Sequence, residues 1–234
     1  RALRTEAIDA LTTNQVLALT TAQTVALTTA QISAITSKDI AQLSSSDAAV
    51  LTTAQVAVLS STQLAAITTL DISALNTADI RALTSTALAG MTTAQSHTLS
   101  STQATALTST QTATLTSGQV VALLTEAITG LTTAAVRAFS TDAINGMSTA
   151  QVAALTASDV GSMTTSQVAT FTTNQIKVLT TADAAALSSA QSSVLSSAQV
   201  SVMTTDDFAN LSTNAVRALR TEAIDALTTN QVLA

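Results

Sequence analysis

The sequence predicts an all-α solenoid, a superhelix of very short helices with one helix in each eight-residue repeat. Three observations predict it. A large apolar residue returns every eight positions, a Ser/Thr pair followed by Gln or Asp marks a helix start in most repeats, and charged residues are sorted to the two ends of the predicted helices. The chain should fold, because 47% of its residues are hydrophobic and only 9% are charged, whereas disordered chains combine low hydrophobicity with high net charge.

The eight-residue period runs from Leu3 to Leu227 without a break and gives 29 octads in register. We label the octad positions a to h, with the large apolar residue at a, and the consensus is L-T-T-A-Q-V-A-A. Residues 1–18 recur identically as residues 217–234, at an offset of 27 octads. We therefore interpret residues 1–234 as a single repeat array with a longer period above the octad.

Two other conformations fit an eight-residue period less well. A continuous α-helix turns about 100° per residue, so its apolar stripe would rotate by roughly 80° at each octad and could not face one partner. A β-solenoid requires alternating apolar residues and β-branched enrichment, which the Ala- and Gln-rich positions d, e, g and h do not provide. A helix that restarts in every octad is the conformation that remains.

Each predicted helix begins at the hydroxyl pair at b and c. Thr12 and Gln15 have the spacing of a capping box, and Leu11 and Val16 then occupy the positions of a hydrophobic staple. Gln or Asp holds e in most octads, but seven octads carry Ala there, among them those with Ala7, Ala127, Ala143 and Ala223. In segments such as Thr125-Glu126-Ala127 we expect Thr at c to be the N-cap, in a structural variant of the corner between two successive helices.

Charged residues and glycines indicate where the predicted helices start and stop. Twelve of the fourteen acids lie at d or e, in the first turn, and five of the eight bases lie at g, in the last turn. This is the distribution that the helix macrodipole favours. Three glycines fall at h, where we expect a helix to terminate; they are Gly90, Gly130 and Gly146.

One octad buries too little apolar surface to fold alone, so neighbouring octads must stack in a quasi-one-dimensional array. We expect a, f and h to line the interior, b, d and g to face water, and small residues at h to allow close approach. The number of octads per turn is left open. With three per turn, 27 octads would close nine whole turns, in a rod on the order of 90 Å long.

Several function classes are excluded by composition. The net charge is −6 and the eight Lys and Arg residues are scattered, so nucleic-acid binding is not expected. No apolar run is long enough to span a bilayer. With no Cys and one His, we predict no enzyme activity, no cofactor and no catalytic, cofactor-binding or metal-binding residue. His97 at g should be an ordinary surface residue. The scattered Asp residues at e should cap helices, since calcium needs about six to eight oxygen ligands.

The tandem pattern at Leu51–Val56 and Met147–Leu155 resembles the Thr- and Gln-rich short repeats of very large bacterial secreted or surface proteins, often labelled adhesin-like or haem-utilisation-like. The resemblance covers the whole chain but is specific to a repeat style, and a single His gives the haem label no support. It implies a structural stalk, spacer or scaffold outside a bacterial cell. Two alternatives are a self-assembling subunit of an extracellular filament or sheath, and an ice-binding Thr array. The expected partners are neighbouring repeats of the same chain and, in a filament, further copies placed laterally or end to end.

Overall fold

The computed structural model describes residues 11–233. These residues form 28 helices of four to six residues, one in each octad, with no strand among them. The chain divides into two compact units, Arg1–Leu131 and Thr132–Ala234. The predicted all-α repeat fold is confirmed within each unit. None of the helices in the described part of the chain has the length and hydrophobicity needed to cross a bilayer.

The helices follow one another at intervals of one octad. The first unit contains α1 (Thr13–Leu17), α2 (Thr21–Ala26), α3 (Thr29–Ala34), α4 (Ser37–Ile40), α5 (Ser45–Ala49), α6 (Thr53–Val56), α7 (Ser61–Ala66), α8 (Thr69–Ala74), α9 (Thr77–Ala82), α10 (Ser85–Ala89), α11 (Thr93–His97), α12 (Ser101–Thr105), α13 (Ser109–Thr112), α14 (Ser117–Ala122) and α15 (Thr125–Gly130). The second unit contains α16 (Thr133–Arg137), α17 (Thr141–Gly146), α18 (Thr149–Ala153), α19 (Ala157–Ser162), α20 (Thr165–Ala169), α21 (Thr173–Ile176), α22 (Thr181–Ala186), α23 (Ser189–Ser192), α24 (Ser197–Ser201), α25 (Thr205–Ala209), α26 (Thr213–Ala218), α27 (Thr221–Asp225) and α28 (Thr229–Val232).

The helix starts confirm the predicted capping boxes in most octads. In α2 the N-cap is Thr20, whose Oγ1 accepts the Gln23 N–H at 3.3 Å, while the Gln23 Oε1 accepts the Thr20 N–H at 2.9 Å. The expectation that Thr at c caps the variant octads is wrong where the structure describes them. Helix α15 already begins at Thr125, and its N-cap is Leu124, which has no side-chain acceptor. Position b therefore sets the helix start even without a hydroxyl. The matching segment at Ala7 lies outside the described residues.

The glycines at h do not end helices by adopting a left-handed conformation. Gly90 is a C-cap with φ −84°, and no glycine in the described ranges has positive φ. The reason for glycine is a close approach, because a Cβ at Gly90 would lie 2.5 Å from the Ser61 carbonyl oxygen of an earlier octad. The helices end instead where the backbone becomes extended before the next N-cap, as at Leu27 and Thr28.

Helices pack against the third helix along the chain, so one turn of the solenoid is three octads. In the first unit α7 packs on α10 and α12 packs on α15. In the second unit α19 packs on α22 and α23 packs on α26. Each unit, taken by itself, is thus a stack of coils, and each coil is one turn of three octads. The number of octads per turn, which the sequence leaves open, is therefore three.

The burial pattern repeats with the octad but differs from the prediction at two positions. Away from the two ends of the described chain, residues at a and f are buried, such as Leu51 and Val56, and residues at b, d and g are mostly exposed, as predicted. Residues at h are mostly half-buried rather than interior, because they lie at the edge of a coil against position c of the coil before, as Gly90 does. The third buried position is e, where Gln55 is only 2% exposed.

Candidate functional site: the buried amide row

A row of buried glutamines at position e is the most distinctive polar feature of the molecule. We call these side chains, each at most 5% exposed, the amide row: Gln31, Gln55, Gln63, Gln95, Gln103, Gln111, Gln119, Gln151, Gln167, Gln175, Gln191, Gln199 and Gln231. Buried polar groups require hydrogen-bond partners. The partners of the amide row therefore define what it does.

The glutamines of the row accept a hydrogen bond at the start of their own helix, and eleven of the thirteen are also shown to contact the preceding coil, as Gln103 does. The Gln103 Oε1 accepts the Ser100 N–H at 3.0 Å, which completes the cap of α12. The Gln103 Nε2 donates to the Ile72 carbonyl at 2.8 Å and to the Leu75 carbonyl at 2.9 Å. These carbonyls belong to positions f and a, 31 and 28 residues earlier. One side chain thus joins a helix N-terminus to the corner between two helices of the coil before.

The same pair of bonds recurs at fixed sequence separations in both units. The distances from Nε2 to the two carbonyl oxygens are 2.6–3.2 Å throughout. The glutamines that show it with Gln103 are Gln55, Gln63, Gln95, Gln111 and Gln119 in the first unit and Gln167, Gln175, Gln191, Gln199 and Gln231 in the second. Successive coils are therefore linked by a series of hydrogen bonds from glutamine side-chain amides to backbone carbonyls, which we call the amide ladder.

Aspartates at e receive hydrogen bonds where glutamines donate them. The side chain is one methylene shorter, and in Asp39, Asp47 and Asp71 its second oxygen accepts from a hydroxyl of the preceding coil. The Asp71 Oδ2 accepts from the Thr68 Oγ1 at 2.6 Å, and its Oδ1 accepts from the Ser45 Oγ at 2.9 Å. Asp39 has the equivalent partner in Thr13, at 3.1 Å. The carboxylates that could have suggested calcium thus act as caps and coil contacts.

Octads with Ala at e let the coils approach directly. Ala87, Ala127 and Ala143 each share their octad with a glycine at h. A Cβ at Gly130 would collide with the Ser101 carbonyl oxygen of the preceding coil. At Gly90 and Gly130 the backbones of two coils come so close that only glycine fits, whereas the octad of Ala135 carries Ala138 at h. This is the structural variant that the sequence indicated at these corners.

An arginine takes over part of the role of the amide in one Ala octad. In the octad of Ala223 the N-cap is Arg220. Its Nη2 donates to the Leu195 carbonyl at 3.1 Å and to the Val194 carbonyl at 3.3 Å. Leu195 holds position a in the coil before Ala223, as Leu75 does in the coil before Gln103. Its carbonyl is therefore the one that a glutamine at e would reach.

Exposed residues at g form a second set of links that the sequence alone did not reveal. His97 is exposed, as predicted, and its Nδ1 lies 3.0 Å from the Ala122 carbonyl oxygen of the next coil. The Asn145 Nδ2 donates to the Thr170 carbonyl at 2.8 Å, and the Arg137 guanidinium donates to the Ser162 carbonyl. Within residues 11–233, no three His, Cys, Asp or Glu side chains lie close enough to hold a metal ion.

One carboxylate differs from the others. Asp79 is fully buried and its Oδ1 has no hydrogen-bond partner. Burial raises the pKa of the Asp79 carboxyl, an effect that hydrogen bonds from the Asn76 backbone and side chain only partly oppose.

Short capped helices, stacked by a ladder of interior amides, define a helical repeat solenoid whose polar chemistry is directed inward. A family model described as the ALTTAQ repeat matches residues 1–29, 72–109, 125–157 and 201–234, more than half of the chain. The chain belongs to the ALTTAQ repeat family. Its motif is present as Ala26–Gln31, which runs from the end of one helix to the residue that caps the next. Comparison with curated proteins gives no match.

Proposed function

We propose that this chain is a structural repeat segment, a stalk, spacer or scaffold, of a large bacterial extracellular or cell-surface protein. The observation that carries the proposal is the amide ladder. The side chain of Gln103, like its counterparts, is occupied at both ends by bonds within the array. A fold that commits its recurrent polar groups to joining one coil to the next is suited to setting a distance.

The long sequence period supports the same proposal. Residues 1–18 return as residues 217–234 after 27 octads, and the stacked helices of each unit show three octads per coil. The period is therefore nine whole coils. A further copy of the unit would continue the ladder with every octad on the same face, which is what a spacer that grows by duplication requires.

We further propose that the segment has no catalytic activity. The seven aspartates at e are buried in the octad interior, where six of them accept the N-cap hydroxyl. The only histidine is exposed and lies against a backbone carbonyl. These placements give the six hydrogen-bonded aspartates and the histidine contacts within the repeat, which supports the proposal.

Length measurement tests the spacer proposal. The purified chain would be compared with a variant in which residues 1–216 are present twice before the final segment. Mass photometry should give monomers of both, and negative-stain electron microscopy should show particles whose length doubles. A length that does not grow with the number of octads would contradict the proposal. Regular assemblies at the same concentration would instead favour the filament alternative.

Two further measurements address the location and the ice-binding alternative. We propose the bacterial surface on the strength of the sequence resemblance, and protease treatment of intact cells should then cleave the segment. Intact protein after such treatment would argue against a surface position. The hydroxyls at b are occupied in caps, such as Thr20 with Gln23, so we expect no thermal hysteresis in a concentrated solution of the protein.

A further inference from the structure

Asp79 occupies position e of the octad Leu75–Ala82 without the donor that the other aspartates have. In the other six octads with Asp at e, an N-cap hydroxyl donates to the carboxylate at 2.6–2.7 Å. Here the N-cap is Asn76, whose Oδ1 accepts the Ala78 and Asp79 N–H groups at 2.8 and 3.1 Å. The Asp79 Oδ2 accepts the Asn76 N–H at 3.2 Å, and the Asp79 Oδ1 is left unpaired at 0% exposure.

The elements packed on this octad offer no compensating charge. Helix α9 packs against α6 on one side and α12 on the other, and neither helix contains a titratable or charged residue. On α9 itself the one other charged group is Arg81, which is exposed at g. An ionised Asp79 thus faces backbone and neutral side chains, and a buried charge without a partner is strongly destabilising.

We propose that the octad Leu75–Ala82 is a pH-sensitive position in the solenoid, closed while Asp79 is neutral and loosened when Asp79 ionises. The inference goes beyond the spacer function and does not depend on it. The proton passes to solvent as α9 opens from α6 and α12. Because the pKa of Asp79 is raised in the folded state, the stability that neutral Asp79 gives the octad is complete below the pKa that this carboxyl has in the unfolded chain. It is lost as the pH rises through the folded-state value.

Hydrogen exchange of the α9 amides tests the proposal in the full chain. The Ile80 and Leu83 N–H groups donate to the Asn76 and Asp79 carbonyls, and both bonds must break when the octad opens. After correction for intrinsic exchange, their protection should fall by up to tenfold per pH unit between the unfolded-state and the folded-state pKa of Asp79, and should be constant above the folded-state value. The amides of α6 should change less.

Two variants separate ionisation of Asp79 from a general effect of pH. Asp79→Asn should raise the protection of Ile80 and Leu83 at neutral pH and remove its pH dependence. Asn76→Thr supplies the missing hydroxyl donor, so it should raise protection at neutral pH and move the loss of protection to lower pH. Asp71→Asn is the matched control at a fully paired site, and it should lower the protection of α8. The proposal is overturned if wild-type protection does not vary with pH, or if Asp79→Asn is less protected than wild type at neutral pH.

Discussion

Replacing Gln103 by Glu tests whether the amide ladder holds the coils together. The two side chains have nearly the same shape, so packing is preserved while the donor group becomes an acceptor. The capping bond survives, because one carboxylate oxygen can still accept the Ser100 N–H. The other oxygen would face the Ile72 and Leu75 carbonyl oxygens, which now lie 2.8 and 2.9 Å from the Nε2 atom.

The expected loss of stability follows from those two contacts. Each of the two lost bonds to a carbonyl contributes about 1 kcal/mol net, and the buried carboxylate oxygen left without a donor adds roughly 1–3 kcal/mol. Gln103 is only 4% exposed, so solvent cannot compensate. We expect the free energy of unfolding to fall by about 3–5 kcal/mol at pH 7. The deficit should shrink in acid, because protonation removes the charge and restores one donor.

Urea unfolding followed by circular dichroism at 222 nm measures this change, with hydrogen exchange at α12 to detect local opening. Gln23→Glu is the matched control. Gln23 is exposed and makes the same capping bonds, but within residues 11–233 its Nε2 donates to no carbonyl of another coil. We expect its effect to stay within about 0.5 kcal/mol. Equal effects of the two substitutions, or a Gln103→Glu protein as stable as wild type at pH 7, would refute the ladder.

The remaining predictions concern close packing and an unpaired hydroxyl. Gly130→Ala should lower the free energy of unfolding by about 1–3 kcal/mol, since the new Cβ would collide with the Ser101 carbonyl. Gly118→Ala should raise it by about 0.5–1 kcal/mol, because alanine favours a helix more than glycine does. The new Cβ has room, since the nearest atom, Thr93 Cγ2, would lie 3.7 Å away. Thermal unfolding measures the stability of both glycine variants. Two stability changes of the same sign would contradict the close approach of the coils at Gly130. Ser192→Ala should raise stability by about 1 kcal/mol, because the buried Ser192 Oγ has no partner; a fall in the urea midpoint would show that the hydroxyl is satisfied in solution.

Helix starts could be predicted from the sequence because capping is a local interaction. The N-cap hydroxyl of Thr20 and the amide of Gln23 are three residues apart, and this spacing is visible in the sequence. The same holds for the apolar positions a and f, since the octad spacing alone identifies them. These features need no knowledge of which octads meet in space.

The stacking could not be predicted with the same certainty, because consensus octads are alike and the pattern does not say which ones pack together. The sequence nevertheless carries two signals of the stacking. No octad has Glu at e, although the capping box and the helix macrodipole would both favour it. The exclusion of Glu indicates that the far end of this side chain must donate. The pairing of Ala at e with Gly at h, as in Ala87 and Gly90, is a second such signal.

The amide ladder also explains how a chain of near-identical octads keeps one register. The residue at position f ranges from Ser96 to Phe208, so the side chains at f do not distinguish one alignment from another. The two carbonyls that each glutamine reaches occur only at a corner between helices. A shift of one residue would therefore cost two buried hydrogen bonds in each octad, and every unpaired buried group is costly. Each added coil brings its own donors and its own acceptors, so we infer that the array can lengthen by duplication without any new contact having to arise.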